Sequence, residues 1–201
     1  MLVYILRMVM KSLSCAQLFH VSVRDKTLSS LSNQEVSFGS DEFIVSKTDT
    51  QGRIVYANRV FMRVSNYPES ALLGQHHNII RHPDMPRGVF HGLWETLKSG
   101  EEFFGFVKNT TSEGGYYWVF ANVTPDYEDG KLVGYFSVRR TVPRRAKEEI
   151  EKIYAEMNAI ERSTERGAAP AASWNAMVAN VKELHGMSYE EFIIDLYNKH
   201  R

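Results

Sequence analysis

Apolar residues recur at every second position over three stretches of this chain, residues 102–111, 116–125 and 131–141, as expected of half-buried β-strands. Ser112-Glu-Gly-Gly115 and Asp126-Tyr-Glu-Asp-Gly130 join them with turn chemistry, so the three read as an antiparallel meander. Upstream, Phe43-Ile-Val-Ser-Lys-Thr and Arg53-Ile-Val-Tyr-Ala flank the turn Asp49-Thr-Gln-Gly52 and predict a β-hairpin. Helical spacing replaces strand spacing between the two groups. Asn58 opens a helix with Val60, Phe61 and Val64 on one side, and Pro68 to Gly74 is a short helix bounded by Pro and Gly. Arg87 to Lys98 carries Val89, Phe90, Leu93, Trp94 and Leu97 on one face. Between them Gln75 to Pro86 holds too many polar rings and prolines for regular structure.

This order predicts an α+β domain over 41–142, a five-stranded antiparallel sheet with helices laid over one face. A sheet covered in this way commonly leaves a ligand cavity between the layers. Residues 1–40 read as an N-terminal lead-in and linker, with Ser29 to Ser40 rich in Ser, Asn and Gln. Residues 143–201 read as a helical extension with two amphipathic runs, 146–162 and 173–185, separated by a hinge at Gly167-Ala-Ala-Pro-Ala-Ala. A third helix opens at the capping box Ser188-Tyr-Glu-Glu191. These stripes need cover, either within the chain, as a local cap, or from a second copy or a receptor.

Composition narrows the function. The chain has 201 residues with 24 basic and 24 acidic side chains, which argues against nucleic acid or anionic lipid held by bulk charge. No stretch offers the roughly 20 apolar residues of a membrane span. Cys15 is the single cysteine, which excludes internal disulfides and cysteine-based metal sites and points to a reducing cytoplasm. His76, His77 and His82 with Asp84 make a thin ligand set for a metal. No nucleophile sits beside a base and no carboxylates pair at catalytic spacing, so an enzyme is not expected.

The element order, with Asp49-Thr-Gln-Gly-Arg-Ile-Val-Tyr-Ala-Asn58 and Gly134-Tyr-Phe-Ser-Val-Arg-Arg140, resembles a PAS sensor domain. The set Gly74-Gln-His-His-Asn-Ile-Ile-Arg-His-Pro-Asp-Met-Pro86, Leu93-Trp94, Val107-Lys-Asn109 and Tyr117-Trp-Val-Phe-Ala-Asn122 is similar to the PAS domain of bacterial aerotaxis receptors. The resemblance implies non-covalent FAD, redox or oxygen sensing, and cofactor positions at Asn58, Arg81, His82, Asp84 and Asn109. It also implies output to a signalling protein or chemoreceptor supplied by another chain, since the family's membrane anchor and heptad-rich rod have no counterpart after residue 142.

The residue chemistry leaves choices within that expectation. Phe90, Trp94, Phe104, Phe106, Trp118 and Phe120 are either the apolar slot for a flavin ring or core packing. Asn58 and Asn109 carry the donor and acceptor a ring edge needs, with Asn58 equally suited to cap its helix. Arg81 fits phosphate, or else pairs with Asp84, which otherwise orients Arg81 or His82 or accepts a ribose hydroxyl. A flavin–cysteinyl adduct is excluded because 41–142 contains no cysteine. Haem on His91 or His82 is the rival cofactor, and a ligand-free interaction or dimerisation module is the rival function.

Overall fold

The computed structural model describes residues 31–201; the expectations for residues 1–30, including Cys15, lie outside them. The elements follow the chain as β1 (Ile44–Asp49), β2 (Ile54–Ala57), α1 (Arg59–Ser65), α2 (Glu69–Leu72), a 3₁₀ turn (His77–Ile80) and α3 (Arg87–Lys98). Then come β3 (Phe103–Thr110), β4 (Tyr116–Glu128), β5 (Lys131–Arg140), α4 (Arg144–Ser163), α5 (Ala169–His185) and α6 (Tyr189–Lys199). The sheet is antiparallel throughout with order β2-β1-β5-β4-β3, the five-stranded α+β arrangement expected for 41–142.

Strand alternation gives the sheet two unlike faces. On β3 and β4 the pairs Phe106↔Phe120 and Lys108↔Trp118 share one face, and Val107↔Val119 and Asn109↔Tyr117 share the other. The first face is covered by the C-terminal helices. The Tyr154 ring of α4 stacks on Trp118 at 6.2 Å, and Tyr197 of α6 stacks on Phe120 at 4.1 Å. The Tyr154 hydroxyl donates to the Phe106 carbonyl at 2.7 Å. The extension thus buries most of its apolar stripes, including Ile150, Met157, Ile193 and Leu196, in this chain's own core, while Leu184 stays exposed. The second face is covered by α1, the 3₁₀ turn and α3.

Helix α5 packs on the outer side of α3. Gly88 and Gly92 of α3 face Ser173 and Trp174 so closely that a Cβ at either position would collide with them. The predicted hinge at 167–172 is largely helical, because Pro170 stands in the first turn of α5, where its missing N–H has no intrahelical partner to lose. Residues 31–40 depart from a free linker. The Val36 amide donates to the Tyr116 carbonyl at 2.7 Å and the Tyr116 amide to the Gln34 carbonyl at 2.9 Å, laying this stretch beside the start of β4.

Glu161 fixes the two helical layers together. Its carboxylate accepts from the Gly88 amide at 2.8 Å, the Ser173 hydroxyl at 2.8 Å and the Arg87 Nε at 3.1 Å, and its side chain is 8% exposed. The amide at Gly88 belongs to the first turn of α3, where backbone donors lack intrahelical partners and negative charge is favoured.

Candidate functional site

A cavity of about 330 Å³ lies between the second sheet face and the layer made by the 3₁₀ turn and α3. That is the lower end of the usual range for ligand pockets, roughly 300–1,000 Å³. Strands β1, β3, β4 and β5 form its floor. Phe90, Leu93, Trp94 and Leu97 of α3 form an apolar wall at successive helical turns, and the exposed residues Gln51, His76 and Asn78 mark its mouth.

Arg81, Trp94 and Asn109 of the predicted site residues line this cavity together. Arg81 and Asn109 form a local β-bridge, so their side chains start from adjacent backbone. The Arg81 guanidinium lies over the Phe90 ring with its carbon 3.5 Å from the centroid. Its Nε is buried and has no hydrogen-bond partner among the described residues. Burial pulls its pKa from 12.5 to about 10, leaving it charged at neutral pH. Asn109 is 3% exposed and its Nδ2 also lacks a partner. Farther along α3, Trp94 meets the Tyr135 ring edge-on at 5.3 Å.

The structure places the other four predicted residues elsewhere, each for a definable reason. Asn58 caps α1: its Oδ1 accepts from the Phe61 and Val45 amides at 2.9 and 3.1 Å and its Nδ2 donates to the Phe43 carbonyl at 2.8 Å, so little of it is left for a ligand. His82 is buried and builds the loop, its Nδ1 accepting from the Asp84 amide at 3.2 Å. Asp84 turns to Lys108, 2.9 Å from its carboxylate, and not to Arg81. Burial alone would raise the Asp84 carboxyl, but the hydrogen bond and charge of Lys108 hold it below its ordinary value. Trp118 sits on the opposite sheet face against Tyr154. Phe104, Phe106 and Phe120 share that face, so of the six aromatics expected to make the slot only Phe90 and Trp94 reach the cavity. Asp84 and Trp118 instead border a separate, polar cleft of about 450 Å³ with Tyr154, Asn158 and Arg162.

The sequence reading gives no cavity role to Arg139, Ser46, Ser137 or Tyr135, and weighs His77 only as a metal ligand, yet all five line the cavity. Arg139 of β5 is 6% exposed. It donates from both Nη atoms to the Ser46 hydroxyl at 3.1 Å and from Nη2 to the His77 Nε2 at 2.8 Å. The His77 ring stacks on Phe61 at 5.7 Å. Burial, and then the charge of Arg139, push His77 well below the ordinary histidine value, so its Nε2 stands as an acceptor. His91, the haem candidate on α3, pairs instead with Glu95 at 3.3 Å, and neither it nor His82 lines the cavity.

The His77 environment carries a pH signature. The unfolded chain protonates this ring near 6.5 and the folded chain resists doing so. Stability is therefore full above that value and falls as the pH drops below it, with a slope that approaches about 1.4 kcal/mol per pH unit from this one group. Denaturant unfolding of the chain between pH 7 and pH 5 is expected to show the decline, and His77→Gln to flatten it.

Residues 54–139 match the PAS fold family. The five-stranded sheet and its cavity agree with that match over this part of the chain, which is also similar in sequence to an aerotaxis receptor. The chain is 40% identical to the aerotaxis receptor of Escherichia coli (strain K12) over 129 residues, 64% of this chain and 26% of that protein. It is 30% identical to the nitrogen fixation regulatory protein of Klebsiella oxytoca over 99 residues, 49% of this chain and 20% of that one. The chain thus spans about a quarter or less of the length of these relatives. Among solved structures, the PAS domain of a Colwellia psychrerythraea protein superposes with a TM-score of 0.46 at 20% identity, covering 50% of this chain and 86% of that one. No helix among the described residues is long and apolar enough to cross a membrane.

Proposed function

We propose that this chain is a cytoplasmic redox or oxygen sensor that holds FAD non-covalently in the cavity and reports to a signalling protein or chemoreceptor supplied by another chain. One observation carries the reading: Arg81 and Asn109 line one aromatic-walled cavity, and Nε of Arg81 and Nδ2 of Asn109 are buried without a hydrogen bond of good geometry among the described residues. Buried donors without partners each cost on the order of 1–3 kcal/mol, and a ligand that accepts from both removes that cost. A flavin fits the chemistry, offering a flat apolar ring for Phe90 and Trp94, heteroatoms at its edge for Asn109 and phosphates for Arg81. FAD supplies reversible electron uptake when bound; the residues of this chain hold it, orient it and exclude water. Arg81 keeps its fork in place by stacking on Phe90, which leaves Nε free to donate.

A route outward from the cavity supports a sensing role. The loop that carries Arg81 continues to Asp84, whose carbonyl accepts from Nδ2 of Asn158 on α4 at 2.7 Å. Helix α3, which walls the cavity, is gripped at its N-terminus by Glu161 of the same helix α4. A shift of either cavity wall therefore bears on the C-terminal helices. Titration of the cofactor-free chain with FAD, followed by flavin fluorescence, tests the reading. Asn109→Leu, close in shape but without the donor, is expected to bind about three- to tenfold more weakly, the span of one neutral hydrogen bond. Affinity equal to that of the unsubstituted chain would remove Asn109 from the site.

A further inference from the structure

We propose that Arg139, aimed by His77 and Ser46, is a charge partner of the bound ligand, and that with Arg81 it makes the cavity select ligands that present a negatively charged or electron-rich oxygen edge. The inference deepens the flavin reading and rests on it for the identity of the ligand. Two guanidinium groups line this cavity, and no Asp or Glu does. Neither arginine forms an ion pair with any described residue. Burying a cation without a counter-charge is costly, and folded proteins rarely leave such a charge alone. The contacts of Arg139 reduce that cost without cancelling the charge, because a serine hydroxyl and a neutral imidazole are dipoles. Its fork also has five N–H donors and only two side-chain acceptors, so donors remain for a ligand.

The setting of Arg139 is that of a prepared group. Ser46 on the neighbouring strand β1 accepts from both terminal nitrogens, which fixes the plane of the fork, and His77, stacked on Phe61, holds Nη2 a second time. A fork held before the ligand arrives loses little entropy on binding. Burial draws the pKa of Arg139 down to about 10, in keeping with a cation that has no counter-charge. The matching oxygen edge has two sources on a flavin nucleotide, the phosphates and the carbonyl edge of the ring.

Titrating the cofactor-free full chain and its Arg139→Gln variant with FAD, FMN and riboflavin separates these sources. A loss of at least about tenfold for FAD and FMN, with riboflavin unchanged, places the phosphates on Arg139; an equal loss for all three places the ring edge there. Either result supports the inference, and Arg139→Lys is expected to recover part of the loss. A folded Arg139→Gln chain that binds all three flavins within about twofold of the unsubstituted chain overturns it. If Arg139→Gln does not fold, Ser46→Ala replaces it, with at least about threefold weaker FAD binding expected and unchanged binding overturning the inference. If the unsubstituted chain takes up no flavin, the flavin reading falls by itself. The inference then stands only if pyrophosphate raises the melting temperature of the unsubstituted chain and not that of Arg139→Gln, and falls if it does not.

Discussion

Replacing Glu161 by alanine is expected to cost the fold on the order of 3 kcal/mol, the scale for removing a buried carboxylate from its partners. Three groups lose their bond to this carboxylate at once: the Gly88 amide in the first turn of α3, the Ser173 hydroxyl of α5 and Nε of Arg87. Arg87 is 41% exposed and recovers water, and the Ser173 hydroxyl turns to the Pro170 carbonyl at 3.2 Å, so the main loss falls on the shielded Gly88 amide. Glu161→Gln keeps an acceptor oxygen for the Gly88 amide and the Ser173 hydroxyl and gives up the charge and the acceptor for the exposed Arg87, so it is expected to be milder. Denaturant unfolding monitored by tryptophan fluorescence checks both variants. The same change loosens the contact between the cavity wall and the C-terminal helices. Protease cleavage within α4 and α5 is therefore expected to quicken in Glu161→Ala before global unfolding is seen. Equal stability of Glu161→Ala and the unsubstituted chain would mean that water satisfies these donors and that Glu161 holds nothing together.

Removing Arg81 is expected to act on binding and on stability in opposite directions. Charged hydrogen bonds contribute roughly 1.5–3 kcal/mol, so Arg81→Ala is expected to weaken FAD by about 10- to 150-fold. The cofactor-free chain loses a buried cation that has no counter-charge, and its unfolding midpoint is expected to hold or rise. A residue of purely structural value would lower both quantities. Calorimetric titration with FAD and a melting curve of the cofactor-free chain measure the two effects on one preparation. A lowered melting temperature with unchanged affinity would assign Arg81 to the fold alone.

The strands were legible in the sequence because a half-buried strand writes its face into every second residue. The same alternation contains the correction to the aromatic slot: once Asn109 faces the cavity, Val107 must share its face and Phe104, Phe106 and Lys108 must lie on the other. Aromatic character alone does not reveal this, since Trp118 and Phe120 suit either face until the C-terminal helices are seen to cover one of them. Asn58 was legible only as a pair of alternatives, and the backbone at Phe43 and Val45, at the start of β1, decided for the cap by taking both ends of its amide. Arg139 and His77 were illegible for a physical reason. An arginine near the end of a strand and a histidine in a polar loop ordinarily face water, and their burial here depends on a crossing of β1, β5 and the 3₁₀ turn that no local pattern encodes. The helices of the extension were readable from their spacing, and the partner of their apolar stripes was not, because spacing shows that a face needs cover without naming what covers it.

The central claim is that the cavity holds a flavin. It is tested most directly by the visible absorption spectrum of the purified full chain, recorded before and after reduction and again after readmission of air. The account predicts the two-band spectrum of oxidised flavin at close to one FAD per chain, lost on reduction and restored by air. A Soret band, or a colourless chain that takes up no FAD on reconstitution, would contradict it.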